Sequence, residues 1–128
     1  MPTVLVIGAS RGIGLELVRQ YAAEGWRVIA TVRDAAGRAR VQALGAQALT
    51  VDVANPASVS GLAWQLDGEE IDVALYVAGV MRRPGACTPP TQPDFDAVMH
   101  ANVLGAMQAI PQVAPLVEAA GGVFAFLS

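Results

Sequence analysis

The stretch VIGASRGIG, residues 6–14, constrains the fold most, because it sets three glycines where an apolar strand gives way to a helix. Gly8, Gly12 and Gly14 follow the spacing G-x-x-x-G-x-G. Glycine weakens strands and helices alike, so its recurrence at one junction needs a backbone reason. A tight turn is one such reason, and an approach too close for a Cβ atom is another. The following helix, over residues 13–24, carries Ile13, Leu17, Val18, Tyr21 and Ala22 on one stripe and stops at Gly25. Its free N–H groups and the positive end of its dipole form an anion site. Arg11 stands at that end, where a cation opposes the dipole by ~0.3–1 kcal/mol unless an anion lies beside it.

The glycine loop belongs to a larger alternation. Apolar runs at 3–8, 27–32, 47–53, 72–79 and 122–128 lack the polar alternation of half-exposed strands and read as strands covered on both faces. Helical patterns separate them. Asp34 caps a helix ending near Gly45. Asn55 caps the next, with Pro56 at its first position, Gly68 past its end and a stripe of Val59, Leu62, Ala63 and Leu66. A long helical stretch runs from about Pro93 to Ala120, and Pro111 and Pro115 are expected to kink or divide it. Strands alternating with helices imply right-handed crossovers. The fold class is therefore α/β: a doubly wound parallel sheet of the Rossmann type, five strands in order 3-2-1-4-5 with helices on both faces, as one domain over 1–128.

Composition removes several functions. A net charge of -3, with no basic cluster beyond Arg82 and Arg83, argues against nucleic acid as a partner. No apolar run is long enough for a membrane span, and the N-terminus has no basic region of a signal peptide. The single Cys87 favours a reducing compartment, so a soluble, cytoplasmic protein is expected. One histidine and one cysteine do not make a metal site. Trp26 and Trp64 read as packing and His100 as surface or boundary. The loop 80–93 either shapes a substrate entrance or is an ordinary surface loop. All eight basic residues are arginine; there is no lysine.

The glycine spacing is not the commoner G-x-G-x-x-G, and no G-K-[ST] follows to make a P-loop. Together with Asp52-Val53, Ala78-Gly79 and Asn102, it resembles the short-chain dehydrogenases/reductases. The resemblance implies that Gly8, Ser10, Arg11, Gly12, Ile13, Gly14, Arg33, Asp52, Val53, Ala78 and Gly79 hold a nicotinamide cofactor. NAD-preferring sites place an acid about 20 positions beyond the loop; here Val32 stands there, followed by Arg33. Arg11 and Arg33 could close on one 2′-phosphate, which favours NADP over NAD, or both could be solvated surface residues. Asp52 either accepts from the adenine amino group or starts the turn before Asn55. YVAG, residues 76–79, replaces the family's N-N-A-G, so Tyr76 and Val77 mark a divergent member, with Tyr76 as packing. Asn102 shares a helical face with Phe95, Val98 and Met99 and is expected to be buried. It matches the catalytic-set asparagine that holds a water leading to the family's lysine; the other reading is an amide bonded to a carbonyl freed by a kink.

The family's general acid is a tyrosine followed by lysine four positions on. Here Tyr21 is followed by Gly25 and Tyr76 by Val80 at that spacing. The expectation is a cofactor-binding half, truncated at the end of strand five, with Ser128 as the first of the family's serine pair or, after a one-residue slip, the catalytic serine. Strand five then forms an exposed edge, and a homo-oligomer acting on a small carbonyl or alcohol substrate is expected. The alternatives are a non-catalytic NADP-binding sensor or regulatory module, and a methyltransferase-type domain that would give Arg11 and Arg33 no role.

Overall fold

The computed structural model describes residues 1–80 and 87–127. Arg82, Arg83 and Ser128, and with them the serine expectation, lie outside the described residues.

Five strands, β1 (Thr3–Ile7), β2 (Arg27–Val32), β3 (Gln47–Thr50), β4 (Val73–Tyr76) and β5 (Val123–Phe126), form one parallel sheet in order β3-β2-β1-β4-β5. Between them run α1 (Gly12–Ala23), α2 (Ala35–Ala43), the short α3 (Pro56–Val59) and α4 (Leu62–Gln65), then α5 (Gln92–Met99), a π-helical turn (His100–Leu104) and α6 (Gly105–Ala119). β1 is central and buried along its length. Val4 and Val6 pack with Val18 and Val41 on the α1/α2 face. Leu5 and Ile7 pack with Leu62, Leu66 and Val113 on the other. Each such side chain contributes ~1.5–3 kcal/mol by leaving water. The sheet is thus the middle of three layers, and the unpatterned apolar runs reflect it.

Three local expectations need correction. The helix predicted from Asn55 to Gly68 is two short turns. Asn55 does cap the first, accepting from Ala57 N–H, but Ser60 Oγ donates back to the Ala57 carbonyl at 2.7 Å and Gly61 follows. That side-chain bond competes with helix continuation. Trp64 is 83% exposed, so it is not a packing residue, whereas Trp26 meets Tyr21 edge-to-face. Pro111 and Pro115 lie inside an unbroken α6. Both face solvent, where the carbonyls they leave without an N–H partner can meet water. The irregularity in the long helix falls at the π-helical turn instead.

β5 is the uncovered edge, with Val123 61% and Phe126 45% exposed. Asp34 caps α2 as expected, its Oδ1 accepting from Gly37 N–H at 2.7 Å.

Candidate functional site

A cavity of about 260 Å³ lies at the carboxyl ends of β1, β2, β3 and β4. In open α/β sheets that is where the strand order reverses and a crevice forms. Its wall contains Gly8, Ser10, Arg11, Gly12, Ile13, Gly14, Arg33, Asp52, Val53, Ala78 and Gly79. All the residues read from the sequence as cofactor-holding therefore meet around one space. Asn102 is not in the wall, although its neighbour Ala101 is.

The glycine loop is shaped by contact. Gly8 has φ +95°, and a Cβ there would lie 2.5 Å from the Ala78 Cα. A Cβ at Gly14 would lie 2.0 Å from the Gly8 carbonyl oxygen. These two positions are small because backbone meets backbone. Gly12 differs: its φ is +61°, yet nothing stands within 4 Å of where its Cβ would be. The space beside it is open, on the side where a ligand would come.

Behind the loop, β2 holds it in place. Gly8 N–H donates to Thr31 Oγ1 at 3.0 Å and Ala9 N–H to the Thr31 carbonyl at 2.8 Å. Ser10 Oγ accepts from Arg33 N–H at 3.0 Å. The front of the loop has no such partner among the described residues. α1 begins at Gly12 with Arg11 as N-cap, no side-chain cap and no acidic residue in its first turn. The first N–H groups of a helix have no partner within it, so they remain available to an anion. Ile13 is 65% exposed and lines the cavity, so it leaves the core stripe predicted for α1.

At the far side Asp52 follows β3. Its N–H donates to Ser58 Oγ at 2.8 Å and its Oδ1 accepts from Ala54 N–H at 3.0 Å. Asp52 therefore braces the turn leading to Asn55 and also lines the cavity.

Asn102 is exposed, contrary to the buried position expected, and Phe95 and Met99 are 55% and 38% exposed. The buried line is Ala101, Gly105, Ala109, Val113 and Val117, spaced by four and one residue earlier than Asn102. α5 itself buries no residue, so the stripe read through Phe95 and Met99 is not a core face, and the π-helical turn then changes the phase into α6. Asn102 nonetheless bonds the backbone through both ends of its amide. Its Oδ1 accepts from Val80 N–H at 2.7 Å and its Nδ2 donates to the Val80 carbonyl at 3.0 Å. It clamps the strand of chain that leaves β4 along the cavity wall.

Tyr76 ends β4 and is buried. Its hydroxyl donates to the Ala101 carbonyl at 2.9 Å. A Cβ at Gly105 would lie 2.6 Å from that hydroxyl, so glycine there makes room for the tyrosine. Burial pushes the Tyr76 phenol up to about 12, and it stays protonated as a donor across the physiological range.

Sequence reasoning missed Thr31, Val51, Ala54, Val77, Val80 and Ala101 in the wall. Thr31 was findable as the one hydroxyl in an apolar strand; the others are ordinary apolar residues without a local mark. Among the described residues no group of histidine, cysteine and acidic side chains could hold a metal, and no helix is long and apolar enough to cross a membrane.

Comparison with known proteins gives the same frame. Residues 2–128 match the family model for short chain dehydrogenases. The maize sex determination protein tasselseed-2 is 38% identical over 112 residues, 80% of this chain and 33% of its own length. The 1-hydroxy-2-glutathionyl-2-methyl-3-butene dehydrogenase of a Rhodococcus strain is 35% identical over 130 residues, 92% of this chain and 52% of its own length. A short-chain dehydrogenase/reductase of Burkholderia multivorans, solved with bound NADP, superimposes with TM-score 0.87 at 30% identity over 99% of this chain and 58% of that one. The chain spans between a third and just over half the length of the two curated relatives. With its sheet order, its glycine loop and a family match along nearly its whole length, the chain belongs to the short-chain dehydrogenase family.

Proposed function

We propose that this chain forms the cofactor-binding part of an NADP-preferring oxidoreductase acting on a small carbonyl or alcohol. The observation that carries the reading is the pairing of an uncapped helix start with two arginines, Arg11 and Arg33, on the wall of one cavity. A 2′-phosphate has the charge and the oxygen acceptors that two guanidinium groups match. β2 ends in Val32 followed by Arg33, and the nearest acid, Asp34, turns to cap α2 and does not line the cavity. The NADP in the Burkholderia relative supports the same choice for a neighbour of this fold.

In this reading the N–H groups at the start of α1 hold the pyrophosphate, and Gly12 keeps its path clear. Asp52 and Val53 flank the adenine. Ala78 and Gly79, both small, let the nicotinamide ribose pass the end of β4. Asn102 fixes Val80 and with it the wall against which the nicotinamide end would rest. When bound, NADPH supplies the hydride that reduces a carbonyl carbon. The Tyr76 hydroxyl is committed to Ala101 and raised in pKa, so it is not the proton donor. The tyrosine–lysine pair of the family is not among these 128 residues, which contain no lysine.

Titration of the full-length protein with NADPH and NADH tests the preference. Tighter NADPH binding is expected, with the difference abolished in Arg33→Asp; equal affinities in the unaltered protein would remove the NADP assignment. A second reading, a module that binds NADP without turning over substrate, draws on the engaged Tyr76. Substrate-free binding with no NADPH oxidation by any aldehyde or ketone panel would favour it.

A further inference from the structure

Arg40 lies in the last turn of α2 and does not line the cavity, yet its Nη1 donates to the carbonyl oxygen of Ser10 at 2.8 Å. Ser10 sits in the glycine loop directly before Arg11 and is only 7% exposed. It is held twice from the neighbouring elements: the side chain through Arg33 N–H, and the main chain through Arg40. Gly37 completes the fit, since a Cβ there would lie 2.8 Å from Ser10 Oγ. α2 is thus packed onto the loop closely enough for its arginine to reach the backbone.

The consequence follows from peptide geometry. The Ser10 carbonyl and the Arg11 N–H belong to one planar trans peptide and point in opposite directions. Drawing the carbonyl toward α2 turns the N–H away from α2, and Arg11 is part of the cavity wall. It also keeps a carbonyl dipole from facing an anion at the start of α1.

We propose that Arg40 is a positioning residue of the dinucleotide site: it orients the Ser10–Arg11 peptide and so supports binding of the pyrophosphate shared by NADP and NAD. The inference rests on the cofactor reading above but not on the preference between the two. Affinities of the full-length protein for NADPH and NADH are compared in Arg40→Ala and Arg40→Lys, with Arg33→Ala alongside, and thermal stability is recorded without ligand. Loss of the order this bond imposes on one pyrophosphate donor is expected to cost up to roughly tenfold in affinity, the rest of the bond's contribution appearing as stability of the free protein. Arg40→Ala is expected to weaken both dinucleotides by similar factors of that size, and Arg40→Lys, which keeps a cationic donor, to recover part of the loss. Arg33→Ala should weaken NADPH alone. A loss in Arg40→Ala confined to NADPH would overturn the proposal, because Arg40 would then act as a charge on the 2′-phosphate. A fall in stability with both affinities unchanged would overturn it as well. Where Arg40→Ala does not fold, Arg40→Lys decides: a parallel, smaller loss of both dinucleotides supports the positioning role, and unchanged affinity for both, or a loss confined to NADPH, overturns it. An unaltered protein that binds neither dinucleotide sinks the cofactor reading itself.

Discussion

The chain segments that leave the adjacent strands β1 and β4 both line the cavity but are built on opposite plans. After β1, the chain leaves the donors at the start of α1 without a side-chain cap and braces the loop only from behind, through Thr31, Ser10 and Arg40. After β4, its own side chains complete the hydrogen bonding: Asn102 takes both backbone groups of Val80, and Tyr76 takes the Ala101 carbonyl. The first junction offers N–H groups with no side-chain cap among the described residues, and cations beside them. The second offers a shaped wall whose polar groups are already engaged. The difference separates gripping an anion, which needs open donors, from fixing the position of a surface, which needs closed ones. α2 is a control within the same sheet, because it starts at the next strand end and is capped by Asp34.

The sharpest way to break this contrast is to fill the first junction. Gly14→Ala would set a methyl 2.0 Å from the Gly8 carbonyl oxygen, a backbone atom that cannot swing aside. We expect a loss of ~3 kcal/mol or more in chemical denaturation. Gly12→Ala meets no atom and carries only the strain of its positive φ, ~1–2 kcal/mol. If the two variants lost stability equally, close backbone packing would not be what shapes the loop. At the second junction, Tyr76→Phe leaves the Ala101 carbonyl without its hydroxyl partner in a buried site. The expected cost is ~1–3 kcal/mol. A neutral result would mean that the ring, not the hydroxyl, holds the π-helical turn.

The first junction was also the more legible one. Its three glycines announce themselves by recurring at one strand-to-helix turn, although only the Gly14 contact with Gly8 is local and the Gly8 contact is with Ala78, and Arg11 is conspicuous where a cap is expected. Strand order followed from the alternation of unpatterned apolar runs with capped helices, and the Asp34 cap was readable by type and place. The second junction resisted because its decisive contacts are long-range. Tyr76 and Ala101 are 25 residues apart, and Asn102 and Val80 are 22 apart. A stripe at helical spacing reads as facing the core, but α5 buries none of its residues, and the π-helical turn then shifts the phase where Asn102 sits. The prolines misled for the reverse reason, since a break was expected where solvent could replace the missing donors. Arg40 left no mark at all, because its partner is a main-chain carbonyl 30 residues earlier.

Between the two helix starts the contrast is finer. Asp34→Ala removes the acceptor of Gly37 N–H and should cost ~1 kcal/mol, as loss of an N-cap does elsewhere. Hydrogen exchange localised to α2 would check that the loss begins at its first turn. Protection unchanged there would mean that packing of Gly37 against Ser10 holds the helix start without the cap.

The smallest effect has the opposite sign. Arg11 places a cation at the positive end of α1 with no carboxylate in the first turn to offset it. Arg11→Ala should therefore raise the stability of the unliganded protein by ~0.3–1 kcal/mol at low ionic strength, and the gain should shrink as salt screens the dipole. The same substitution should weaken NADPH binding, because the charge that is unfavourable in the empty loop is favourable once an anion arrives. Opposite shifts in the two measurements are the signature of a residue kept for a ligand rather than for the fold. Were Arg11→Ala to destabilise the free protein instead, the arginine would be a structural part of the loop, and the uncapped start of α1 would no longer distinguish the two junctions.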